Sequence, residues 1–227
     1  MTARFKPLID LLRRSDDRRL LLSIVLLFIP MAAIGTLLHE AGHIVVAHTL
    51  GYEPVLYFDS MSKGPSPFAS EADYSNPDDR QRYELESTLI TIGGPAQNML
   101  TGTIGFVWLW RLRRKQKRES GSVREGWIWL ATLMALFWSR QAFNAIAAIV
   151  YGDGEIRGDE FKIAHYFDWP IWSVLAVTGA VSVCICLAVI GLQRRERRIH
   201  FAIGMPIGSL IGFALWFKLL GPYLLPH

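Results

Sequence analysis

The sequence predicts an all-α protein, a polytopic transmembrane helical bundle of about five helices, and three observations predict it. Half of the chain is apolar, 51% of 227 residues. The apolar residues gather into blocks at least as long as the roughly 20 residues that cross a bilayer as a helix. Basic and acidic residues alternate from one intervening loop to the next, as the positive-inside rule requires. The blocks are 20–50, 87–110, 127–151, 170–192 and 201–220, each bounded by charge or by Gly and Pro. Together they form one membrane-embedded domain over 20–222, preceded by a basic segment, 1–19, and followed by a short tail, 223–227.

The first block, at about 31 residues and about 46 Å as one helix, exceeds a hydrocarbon core of about 30 Å, so it must tilt, bend or project. Pro30 lacks the amide hydrogen that would bond back to Leu26, which predicts a kink there, with a break into two short helices as the alternative. Polar residues precede the block and no small-residue cleavage site clearly follows it, so this helix is expected to stay in the protein. The loop 51–86 carries the run Gly64-Pro65-Ser66-Pro67 and is long enough to hold short strands. In the second block Gly94, Asn98 and Gly102 recur every four residues, a small-residue face that permits close helix approach. The third places Arg140 and Asn144 on one face near mid-helix, where an ionisable group is expected to serve a site, an ion pair or the interface. Cys184 and Cys186 in the fourth face different directions and read as packing residues. Trp108, Trp110, Trp127, Trp129, Trp169 and Trp172 stand near helix ends, as in an interfacial aromatic belt.

Charge sets the expected orientation. The segment 1–19, the loop 111–126 and the turn after 192 carry most Lys and Arg and are expected in the cytoplasm; 51–86 and 152–169 are acidic and expected outside. The net charge of +4 therefore reflects topology rather than a nucleic-acid partner, and the basic loops are expected to meet anionic lipid. The expected location is the cell (inner) membrane with the N-terminus cytoplasmic. No feature points to an oligomeric state.

The chemistry lies in His39-Glu40-Ala41-Gly42-His43. Helical residues four apart share a face, so His39 and His43 can offer two imidazoles to one zinc ion while Glu40 stands beside them as general base. Two imidazoles and a carboxylate are costly among apolar neighbours in lipid, and intramembrane ionisable groups are functional candidates by default. Catalytic zinc takes three protein ligands and keeps one position open, so a further ligand, a carboxylate, is needed. His48, nine residues from His39, lies on nearly the opposite face, and His165 reads as a solvated loop residue.

With Gly93-Gly94-Pro95-Ala96-Gln97-Asn98 and the acidic stretch from Asp153 to Glu160, the chain resembles the site-2-protease-like (M50-type) intramembrane zinc metalloproteases over roughly 20–192. The resemblance implies that the first helix gives two His ligands and the Glu base, that Asn98 helps to hold the substrate or the reacting carbonyl, and that a late Asp completes the zinc site. The late motif departs from the family's Asn-x-x-Pro and Leu-Asp-Gly. Asn144 is followed by Ala147 rather than proline, and Asp153-Gly154 competes with Gly158-Asp159-Glu160. Asp159 is favoured, because Asp is a good helix N-cap and Glu160-Phe161-Lys162-Ile163-Ala164 has helical composition; Asp153 is the alternative third ligand.

The expected function is hydrolysis of peptide bonds in membrane proteins or peptides, with Zn2+ at His39, His43 and Asp159 and with Glu40 as base. The main rival is a catalytically inactive membrane protein that keeps the fold and metal site as a binding or regulatory module. An iron oxidase needs more paired histidines than the chain offers, and a transporter built on repeats lacks its repeat.

Overall fold

A computed structural model describes residues 15–65, 76–118, 123–151 and 158–225. Helix α1 (Ser15–Thr49) runs as one element through Pro30, so the alternative of two short helices is not adopted. Its buried residues, including Ile24, Phe28, Ala32, Thr36, His39, Glu40 and His43, recur at intervals of three and four. This single face carries the apolar packing at one end and the polar site at the other.

The chain then turns into a two-stranded antiparallel hairpin, β1 (Val55–Leu56) and β2 (Met61–Ser62), pairing Val55 with Ser62 and Leu56 with Met61. Short strands in this loop were expected, and the hairpin is tied down at both sides. Fully buried Tyr52 donates its hydroxyl to Glu86 at 2.8 Å, and Trp216 Nε1 donates to the Phe58 carbonyl at 2.8 Å.

Helix α2 (Pro77–Arg118) is 42 residues long and begins ten residues before the apolar block does. Its polar first turns are helical in their own right. Pro77 opens the helix with Asp78 and Asp79 in the first turn, and Arg80–Glu84 and Arg82–Glu86 pair at i,i+4.

The third apolar block is divided. Helix α3 (Glu125–Ala135) passes through a tighter 3-10 turn at Leu136–Trp138 into α4 (Ser139–Tyr151). Tertiary packing causes the break. Leu136, Phe137 and Trp138 are all buried, Trp138 Nε1 donates to Thr103 Oγ1 at 3.1 Å, and the Ser182 hydroxyl bonds the Trp138 carbonyl. A methyl group at Gly102 would collide with the Trp138 ring, so this glycine admits the wedge.

Helix α5 (Asp159–Tyr166) is short and lies against α2. Helix α6 (Ser173–Leu192) packs on α4, and α7 (Arg198–Leu215) returns along α1. Gly204, Gly208 and Gly212 bring α7 and α1 together: methyls at Gly208 and Gly212 would strike the Val25 and Ile29 carbonyl oxygens. A π-helical turn (Trp216–Leu220) leads into the terminal α8 (Gly221–Leu224). Both cysteines are free; Cys186 is buried in the apolar core, whereas Cys184 is exposed.

The architecture is the expected all-α bundle. Among the described residues four helical stretches are long and apolar enough to cross a membrane: Ser15–Thr49, Glu125–Val150, Ser173–Leu192 and Arg195–Leu224. The remaining expected crossing, 87–110, falls within α2, whose glycines, Gln97, Asn98 and threonines dilute its apolar content.

Candidate metal centre

His39 and His43 project from one face of α1 with their Nε2 atoms 3.2 Å apart. Asp159 Oδ2, from the first turn of α5, lies 2.9 Å from His39 Nε2 and 3.4 Å from His43 Nε2. Among the described residues these three form the cluster whose ligand atoms converge as a metal site requires. The triangle is the right size for a metal. Four ligands at 2.0–2.1 Å around tetrahedral zinc stand about 3.3 Å from one another, and the three edges here fall between 2.9 and 3.4 Å. The buried His39–His43–Asp159 group can hold a metal ion.

The far side of each imidazole is also held. His43 Nδ1 lies 2.7 Å from the Ile90 carbonyl and 3.2 Å from the Gly94 amide nitrogen, at the step of α2 just before Pro95. One ring nitrogen cannot donate to the first and accept from the second, and the shorter contact is to the carbonyl. Nδ1 therefore donates to Ile90, which leaves Nε2 unprotonated for a ligand. His39 Nδ1 lies 3.1 Å from Asn98 Nδ2, while Asn98 Oδ1 is buried without a partner. Turning that amide over places Oδ1 on His39 Nδ1–H, the arrangement that frees His39 Nε2 for a metal. Asn98 is 1% exposed and lies behind His39, outside the lining of the cavity that holds the triangle. Its side chain is placed against the His39 ring.

Close approach of α1 to α2 depends on glycine. A methyl at Gly42 would strike the Gly93 carbonyl oxygen, and one at Gly94 would strike His43 Nε2 and lie 2.7 Å from His39 Nε2. The motif spacing 93–98 thus reads as a cradle for the two rings.

Asp159 reaches the site by a route other than the expected one. Gly158, in extended conformation, is the N-cap of α5, and Asp159 is the first helical residue. A capping aspartate would turn its carboxylate back onto the helix amides; at the first helical position the side chain is free to face α1. Without a metal, a proton on a facing Nε2 of His39 or His43 bonds this carboxylate, and that contact outweighs burial and holds the carboxyl below the usual carboxylate range; a metal would take the place of that proton. Asp153, the alternative ligand, lies outside the described residues.

The triangle opens into a cavity of about 670 Å³ lined by Glu40, Asp59, Lys63, Arg140, Asn144 and Glu160 among others. Glu40 is buried and faces this space beside the two ligands from its own helix. Glu160, 2% exposed, accepts a hydrogen bond from Asn144 Nδ2 at 3.3 Å, and burial pushes its pKa up. Sequence reasoning singled out neither Glu160 nor the Ile90 carbonyl. The pair Asp159-Glu160 was visible, but nothing in it marks the second acid as buried, and a backbone carbonyl leaves no sequence signal. His48 and His165 are exposed and away from the site.

Comparison of the chain with family models, with curated proteins and with solved structures gives no match.

Proposed function

We propose that the chain is an intramembrane zinc metalloprotease that hydrolyses peptide bonds of membrane-associated proteins. The observation that carries this reading is the coincidence of a zinc-sized ligand triangle with a buried, unligated carboxylate from the same helical turn, both facing one cavity. His39, His43 and Asp159 would hold the zinc, which would supply Lewis acidity and lower the pKa of a water toward neutrality.

The chain's own residues do the rest. Glu40 takes the proton of the attacking water and passes it to the leaving amine. Ile90 and Asn98 fix the tautomers of His43 and His39 and hold both rings in register. A substrate helix shields its carbonyls with its own hydrogen bonds, so the reacting segment must be unwound. Residues 59–61 and Lys63 of the hairpin line the same cavity, and its outer edge, which pairs with no other strand among the described residues, offers an unwound segment backbone partners.

The charge pattern supports an inner-membrane setting with the N-terminus in the cytoplasm and anionic lipid at the basic loops. The test is a digest of labelled apolar transmembrane peptides by the purified, zinc-loaded protein. Products should carry one added water and a free amine, stop forming on treatment with a zinc chelator, and return with added zinc. A folded, zinc-loaded protein that cleaves no peptide of the set favours the binding-module reading.

A further inference from the structure

A second cavity, of about 510 Å³, lies beside the metal chamber between α1, α4, α6 and α7. Its walls are apolar, with Phe28, Gly35, Phe143, Leu187, Leu210 and Phe213 representative. Phe143, Leu187 and Leu210 are exposed on the lipid-facing surface of spans that cross the membrane in this reading. Asn98, Ser139 and Arg140 make its polar end, and Arg140 lines both cavities. Arg140 Nε is buried with no hydrogen-bond partner. Glu40, Asp159 and Glu160 act on the guanidinium through charge, but no described residue makes a hydrogen bond or ion pair with it.

A half-buried cation with a buried, idle donor at the end of an apolar chamber is matched by an amphiphile with one anionic head. We propose that this cavity is a binding site for one free fatty acid, its carboxylate on Arg140 and its hydrocarbon chain among Phe28, Phe143, Leu187 and Leu210.

Size and polarity exclude the other occupants. One turn of an α-helix, 10–12 Å across and 5.4 Å tall, fills about 420–610 Å³, so the cavity holds no more than a single turn and not a transmembrane segment. An extended peptide would bring an amide and a carbonyl per residue into walls whose polar side chains are few, Asn98, Ser139, Arg140 and Ser209. A phospholipid keeps its phosphate at the interface, whereas Arg140 lies about 15 Å from the Val150 end and about 22 Å from the Glu125 end of its span at 1.5 Å per residue. A single hydrocarbon chain with a small head satisfies all three constraints. The bound carboxylate would stand at the entrance from this chamber to Glu40, so the site is independent of whether the metal centre cleaves peptides but sits where it can obstruct it.

The test is binding of oleate, with oleyl alcohol as the uncharged control, to the intact 227-residue chain in detergent, read by native mass spectrometry. Wild type is expected to take one oleate, and to bind it about tenfold or more tightly than the alcohol, the scale of one hydrogen bond to a charged group. Arg140→Gln should erase that difference and Arg140→Lys should keep most of it. Gly35→Leu adds bulk at the wall of the chamber, where a Cβ meets nothing within 4 Å, and it should weaken oleate and alcohol alike by about tenfold or more. Equal binding of oleate and alcohol by wild type, oleate binding unchanged in Gly35→Leu, or displacement of oleate by equimolar dioleoyl phosphatidylglycerol would each overturn the assignment.

Discussion

His39 Nε2 and Asp159 Oδ2 lie 2.9 Å apart although 120 residues separate them in the chain. Helix α1 brings the imidazole, the start of α5 brings the carboxylate, and α2 packs against both helices. Zinc content should follow this geometry. The purified protein should hold about one zinc, His39→Ala or His43→Ala should remove most of it, and Asp159→Ala should weaken binding while Asp153→Ala leaves it largely intact. Elemental analysis after dialysis decides this, and the reverse order of the two aspartate variants would move the third ligand to Asp153.

Gly94 is predicted to be indispensable for metal although it offers no ligand. Gly94→Ala should favour the helix by about 1 kcal/mol on propensity alone. The added methyl nevertheless occupies the space of His43 Nε2 and crowds His39 Nε2. Zinc affinity should fall by at least about tenfold with helical circular dichroism unchanged. Full zinc affinity in this variant would show that α1 and α2 stand farther apart than described.

Asn98→Ala is expected to lower zinc affinity by about 10- to 100-fold, the usual cost of losing a group that orients a ligating histidine. Asn98→Asp, which keeps an acceptor for His39 Nδ1–H, should retain most of it. If both variants bound zinc as wild type does, the role of Asn98 would lie at the substrate rather than at the His39 ring.

Much of this arrangement was legible in the sequence, and the illegible part has identifiable physical causes. His39, Glu40 and His43 stand out because helical spacing is rigid and because polar groups are costly in an apolar block. The break at Leu136–Trp138 had no local sign, since no Gly or Pro marks it; Thr103 and Ser182, remote in sequence, hold it. The start of α2 at Pro77 was missed because hydropathy ends where lipid ends, while the helix continues on i,i+4 ion pairs. Asp159 was chosen on capping preference and lies at the site one position inside the helix, with Gly158 as the cap. The Ile90 carbonyl and the burial of Glu160 are products of packing alone.

The topology prediction is that the hairpin loop faces outward and the end of α2 inward. Glu53→Cys and Arg118→Cys, both at exposed positions, supply the probes in a background with Cys184 and Cys186 replaced by serine. A membrane-impermeant thiol reagent applied to intact cells should label the first and spare the second. The opposite pattern would invert the bundle and open the metal cavity to the cytoplasm.

The most direct test of the central claim compares wild type with Glu40→Gln at equal zinc loading on the same set of labelled transmembrane peptides. The substitution keeps side-chain shape and removes the base without touching the His39–His43–Asp159 ligands. Zinc content and fold should be unchanged, and the rate of cleavage should fall by about 10²-fold or more, the scale of general-base removal. Cleavage by the zinc-loaded Glu40→Gln protein at the wild-type rate would contradict the account.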